Sequence, residues 1–141
     1  MTSFGPADLY VVEFPSGSSP SEVTATLREV TSAGVLTLLD VAVVRHGDGG
    51  AREVVELDQL AGEFDLSGAT PEADGLIGED DLLELTEDLA PGAIALAVLV
   101  ENTWARKIAT AMRDSDARPL SVQRFPAEVV NEVATAAGLE V

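Results

Sequence analysis

The chain is 141 residues long, 46% apolar and 23% charged, which excludes a collagenous, rod-like or wholly disordered protein and predicts a single domain over 1–141. Its 25 acidic residues against 8 basic ones give a net charge of −17, so binding to nucleic acid or to an anionic lipid surface starts with a heavy electrostatic penalty and neither is expected as a partner. With no Cys and a single His, His46, thiol catalysis, disulfides and multi-histidine metal sites within one chain are also excluded.

Asp8 to Phe14 (DLYVVEF) is β-branched and aromatic and stops at Pro15, which predicts a strand. A helix follows, with Ser19 as cap, Pro20 at its first position and Glu22 closing a capping box. Val23, Leu27 and Val30 recur at helical spacing, and Gly34 supplies a left-handed stop. Val35 to Arg45 and Ala51 to Leu57 read as strands joined by the turn HGDGG, a hairpin. The stretch 62–78 has glycines, Pro71 and little periodicity, and predicts a mobile loop within the domain. A short helix in EDDLLELTEDL places Leu82, Leu85 and Leu89 on one stripe, with Glu79, Asp80 and Asp81 at its positive end. Pro91-Gly92 leads into the apolar strand Ala93 to Val100. A helix capped by Asn102 or Thr103 then turns Trp104, Ile108, Ala111 and Met112 toward a core. Pro119 to Phe125 predicts a last strand, and Pro126 to Ala137 a last helix with Val129, Val130, Val133 and Ala137 inward.

The two halves are alike: VVEFP, a helix and VLTLLDVAVVR against VLVEN, a helix and PLSVQRF. Two β-α-β units in one small domain predict an α/β (α+β) fold, a ferredoxin-like β-α-β-β-(α)-β-α-β sandwich with an extra C-terminal helix. An open sheet face should alternate apolar with polar residues. Here Ala93, Ala95, Ala97 and Leu99 form one parity and Ile94, Leu96, Val98 and Val100 the other. Both faces therefore need cover, from the final helix, from 62–78 or from a second copy of the chain.

Glu13 and Glu101 hold equivalent places in VVEFP and VLVEN. At the carboxyl ends of neighbouring parallel strands they would form a carboxylate pair able to share a proton or a hard cation, near Asn102 and Trp104. The competing reading makes each a strand-end carboxylate with backbone or arginine partners. Asp40, inside an apolar strand, requires an arginine or backbone partner. His46 reads as an exposed turn residue. Glu53 to Asp88 contains 13 of the 25 acids and no Lys or Arg, a solvated acidic face without EF-hand spacing. Arg106, Lys107, Arg113, Arg118 and Arg124 cluster later, a polarity that permits head-to-tail contact between copies. No phosphate-binding loop and no nucleophile motif occurs, so no catalytic residue and no cofactor is assigned.

From GLIGEDDLLELTEDLAPGAIALAVLVENTW the chain resembles a family of small actinobacterial proteins of unknown function, related to a wider stress-associated bacterial group. The shared pattern is an acidic helix (Asp80 to Leu89), Pro91-Gly92, an apolar strand ending in Val100-Glu101, a helix (Thr103 to Arg113) and a final strand (Leu120 to Phe125). DLYVVEFPSG and LDVAVVRHGDGG fit as well. The wider group has a long glycine- and alanine-rich insert suggesting membrane contact; here only GATPEADGLIG stands in its place, which implies no stable membrane insertion. The expectation is thus a non-enzymatic, self-associating, cytoplasmic protein linked to stress, forming a homo-oligomer and leaving room for a protein partner. The alternative is a small cation- or ligand-binding protein or enzyme using Glu13 and Glu101.

Overall fold

The computed structural model describes residues 4–47, 49–55, 70–73 and 75–139. They divide into two compact units, Met1–Thr110 and Ala111–Val141. The first unit is a mixed α/β body. It contains β1 (Ala7–Phe14), α1 (Ser21–Ser32), β2 (Leu36–His46), β3 (Arg52–Val55), α2 (Glu79–Leu85), β4 (Ile94–Asn102) and most of α3 (Thr103–Asp114). The four strands form one antiparallel sheet in the order β1-β4-β2-β3. β4, the last of the described strands, is therefore central, and β1 and β2 run parallel to each other on either side of it.

α1 begins at Ser21, after Pro20, with no side-chain cap bond to its first turn; the Ser19 hydroxyl instead takes the Ser21 N–H at 3.3 Å. Gly34, at φ +76°, ends it as its sequence predicts. Leu27 of α1 packs on Leu38, Val43, Leu96, Val98 and Val100, the branched face of the sheet. The alanine face is covered from within the chain. Leu82 and Leu89 pack against Ala93, Ala95, Ala97 and Val44, with Ile77 at the margin. Alanines leave room for the helix backbone to come close, and each buried leucine contributes about 1.5–3 kcal/mol. Cover for the second face thus comes from α2 and its approach, so double-sided apolarity does not by itself require a second copy.

β2 carries a bulge: Leu38 pairs with Val100 and Asp40 with Leu99, leaving Leu39 unmatched. A one-residue insertion switches which parity faces which side. Leu38, Val41 and Val43 consequently share the α1 face, while Asp40 turns to the α2 face.

The second unit holds the end of α3, an irregular stretch and α4 (Ala127–Ala136). Pro119 to Phe125, expected as a strand, forms none in the structure; Leu120 and Val122 are each 87% accessible. β propensity has no effect without a neighbouring ladder. α4 buries none of its side chains, so Val129, Val130 and Val133 are not inward-facing. Of the expected loop 62–78, residues 62–69 and Asp74 lie outside the described residues.

Candidate functional site

The antiparallel pairing of β1 with β4 decides the fate of the carboxylate pair. Ala7 faces Glu101, and Glu13 faces Ala95. Six residues of strand separate the two glutamates, about 20 Å at 3.4 Å per residue, so they do not form a shared site. Equivalent places in two half-units lie side by side only if the strands are parallel, and a split β-α-β arrangement makes them antiparallel. Glu13, exposed, accepts the Ala90 N–H at 3.0 Å. Asn102 donates to Asp8 at 2.9 Å.

Glu101 is the centre of a different cluster. Its side chain is wholly buried at the junction of β4 and α3. One carboxylate oxygen receives the Gly5 N–H. The other receives the Thr103 hydroxyl at 3.1 Å and the Arg106 guanidinium. The Thr103 oxygen lies 2.6 Å from that of Thr37. An ionised carboxylate only accepts, so Thr103 donates to Glu101 and Thr37 donates to Thr103. Burial acts to raise the Glu101 pKa but is outweighed by the hydrogen bonds from Arg106, Gly5 and Thr103 and by the Arg106 charge, which hold it below its usual 4.5. The carboxylate also sits at the positive end of α3. With both oxygens occupied, it is an anchor joining the N-terminal segment, β2, β4 and α3, not a free acid or base.

Gly5 lets the N-terminal segment lie close against α3. A Cβ at this position would stand 3.0 Å from Arg106 Cβ and 3.2 Å from its Cα, so the N-terminal segment or α3 would have to give by a few tenths of an ångström. Gly5→Ala is expected to lower stability by about 1–3 kcal/mol and to loosen the Glu101–Arg106 contact. Urea unfolding checks this, and a midpoint unchanged from the parent would refute it.

The second buried acid, Asp40, forms a cradle of backbone amides. One oxygen accepts the N–H of Val41 at 2.9 Å and of Gly75 at 3.2 Å; the other accepts that of Ile77 at 2.7 Å. The Leu38 and Leu39 carbonyls take the N–H groups of Glu72 and Ala73 at 3.0 and 2.7 Å. The bulge frees these backbone groups to hold 72–77 against the sheet, with Asp40 as the clasp. Its backbone partners match what an acid within an apolar strand demands.

His46 is not a turn residue. It ends β2, half-buried, with Nδ1 2.6 Å from the Leu89 carbonyl and its backbone paired to Gly92 and Ala93. Arg52 of β3 donates to the Leu83 carbonyl and to Thr86 Oγ1, a cation on the C-terminal end of α2. Its role was not evident in the sequence, because α2 and β3 are joined only through the fold. Trp104, expected in a core, is 55% exposed.

A groove of ≈ 410 Å³ runs between the β1–α1 loop (Ser16 to Ser19), Gly92 and Ile94. Among the described residues no three His, Cys, Asp or Glu side chains converge as metal ligands, and no helix is long and apolar enough to cross a membrane. Among the described residues the two buried acids, Glu101 and Asp40, are thus engaged in hydrogen bonds that hold neighbouring segments, while several large apolar side chains stand exposed. No curated protein and no solved structure shows a significant match to the chain. A family model does match, over residues 3–140, and the chain accordingly belongs to a family of unknown function, DUF6325.

Proposed function

We propose that the chain is a non-enzymatic, self-associating module of the bacterial cytoplasm, with the stress-linked setting that its acidic-helix, Pro-Gly, Val-Glu pattern implies. The observation that carries this reading is the exposed apolar surface of α3 and the residues after it. Trp104 and Ile108 stand one turn apart on α3, each more than half accessible, and Leu120 and Val122 follow. Side chains of this size left in water favour a protein partner. The engagement of Glu101 and Asp40 adds support, since each of their carboxylate oxygens already accepts at least one hydrogen bond from the protein. Sedimentation velocity over a hundredfold concentration range at moderate salt, which screens the charge of −17, is expected to show a concentration-dependent dimer or higher species. A strict monomer throughout would overturn the reading.

A further inference from the structure

Two helices of the first unit turn apolar side chains outward, and the charges around them differ in sign. On α3, Trp104 and Ile108 lie one turn apart and are each more than half accessible, while Ala105 and Ala109 are partly buried. Exposed Lys107 borders this stripe, one turn from Trp104; Arg106 beside it is held by Glu101. No acid occurs from Thr103 to Met112. On α2, Leu82 and the following Leu89 are buried against the sheet, but Leu85 is more than half accessible. Asp81 lies one turn before Leu85 and Asp88 just after it, both exposed. Glu79 to Asp88 has acids at six of its ten positions, and Arg52, bonded to Leu83 and Thr86, offsets one of them.

We infer that the Trp104–Ile108 stripe of α3 seats against Leu85 of α2 in a second copy of this chain, a contact that deepens the self-association reading and rests on it. The charge distribution selects this pairing. Copies with a net charge of −17 repel each other, so contact is favoured where unlike charges meet. Two α3 surfaces would set base against base, and two α2 surfaces acid against acid. α3 against α2 joins apolar to apolar and brings Lys107 to Asp81 and Asp88. Trp104 is the anchor, a large rigid side chain with apolar area to remove from water. The acidic frame of Leu85 contributes orientation more than affinity. Because the two patches differ, every chain presents both a donor and an acceptor surface. Docking leaves the core undisturbed, since Leu82 and Leu89 keep α2 on the alanine face.

A donor and an acceptor surface on different residues allow a complementation test. Trp104→Gln and Leu85→Gln each remove one apolar partner at an exposed position, so circular dichroism spectra and melting temperatures are expected to match the parent. Each variant alone is expected to self-associate about tenfold more weakly in sedimentation velocity. An equimolar mixture, with a mass tag on one variant, is expected to recover association in a species containing both. Leu85→Gln chains keep an intact α3 and Trp104→Gln chains an intact α2. Lys107→Glu sets acid against acid and is expected to weaken self-association about threefold; association unchanged by it overturns the charge complementarity that selects α2. If either variant associates like the parent, its surface has no part in the contact, which is overturned while self-association stands. Two impaired variants whose mixture fails to recover overturn the pairing of α3 with α2 in the same way. A parent that stays monomeric overturns the contact and self-association together.

Discussion

Replacing Glu101 with Gln is expected to cost about 3 kcal/mol at neutral pH, roughly 10 °C in melting temperature. The amide keeps the volume of the side chain but offers one acceptor oxygen where three donors converge from Gly5, Thr103 and Arg106. Its NH2 group must face one of them, leaving a buried donor without a partner. Because the folded-state pKa lies below the usual 4.5, the carboxylate contributes its stability in full above that value, and the contribution disappears as the pH falls through the folded-state pKa. The difference between parent and variant should therefore be widest near neutrality and close in acid. Melts at pH 7 and at pH 3 measure it directly. A loss below about 1 kcal/mol at pH 7, or a gap as wide in acid, would show that the carboxylate is not the anchor.

Asp40 should behave as the second anchor, with a different signature. Asp40→Ala removes the acceptor of the Val41, Gly75 and Ile77 amides, of which Val41 is buried and Gly75 can turn to water, an expected loss of about 2–3 kcal/mol. Asp40→Asn keeps the oxygen shared by Val41 and Gly75 and turns an NH2 toward Ile77, so about half that loss is expected. The damage should also be local: hydrogen exchange at Gly75 and Ile77 should accelerate on the order of a hundredfold more than at Val98 in the sheet centre. An alanine variant as stable as the parent, or equal acceleration everywhere, would count against the clasp.

Much of the fold is legible in the residues, and what escapes has definite causes. Periodicity and turn chemistry locate β1, α1, β2, β4 and α3 to within one or two residues, because each is a local pattern. The alternation of alanines with branched residues in β4 announces two covered faces, and α2 supplies the cover on the alanine side. The bulge at Leu39 is invisible, since LTLLDVAVV reads as apolar in either register; only the needs of Asp40 hint at it. The carboxylate pair fails for a directional reason: the repeat marks Glu13 and Glu101 as equivalent, but equivalence under a two-fold axis places them at opposite ends of adjacent strands. Arg106 as the partner of Glu101 escapes because the two are five residues apart across a strand-to-helix junction, a spacing no helical rule anticipates. His46 and Arg52 are missed because their acceptors, Leu89 and Leu83, are distant in sequence.

The central position of β4 has a consequence for biosynthesis. β1 leaves the ribosome first, yet its ladder partner is residues 94–101, and β2 waits for the same strand. At roughly 5–20 residues per second, β1 stays unpaired for several seconds with Leu9, Tyr10 and Val12 in water. Among the described residues, chains without β4 have the β2–β3 hairpin, α1 and α2 but not the strand that joins β1 to β2, too little to hide an apolar sheet. Folding is thus a late, largely concerted event with long-range pairings at its core, the class of topology that folds slowly. The density of acids between Glu53 and Asp88, synthesised while those strands wait, makes close contact between unfinished chains electrostatically unfavourable.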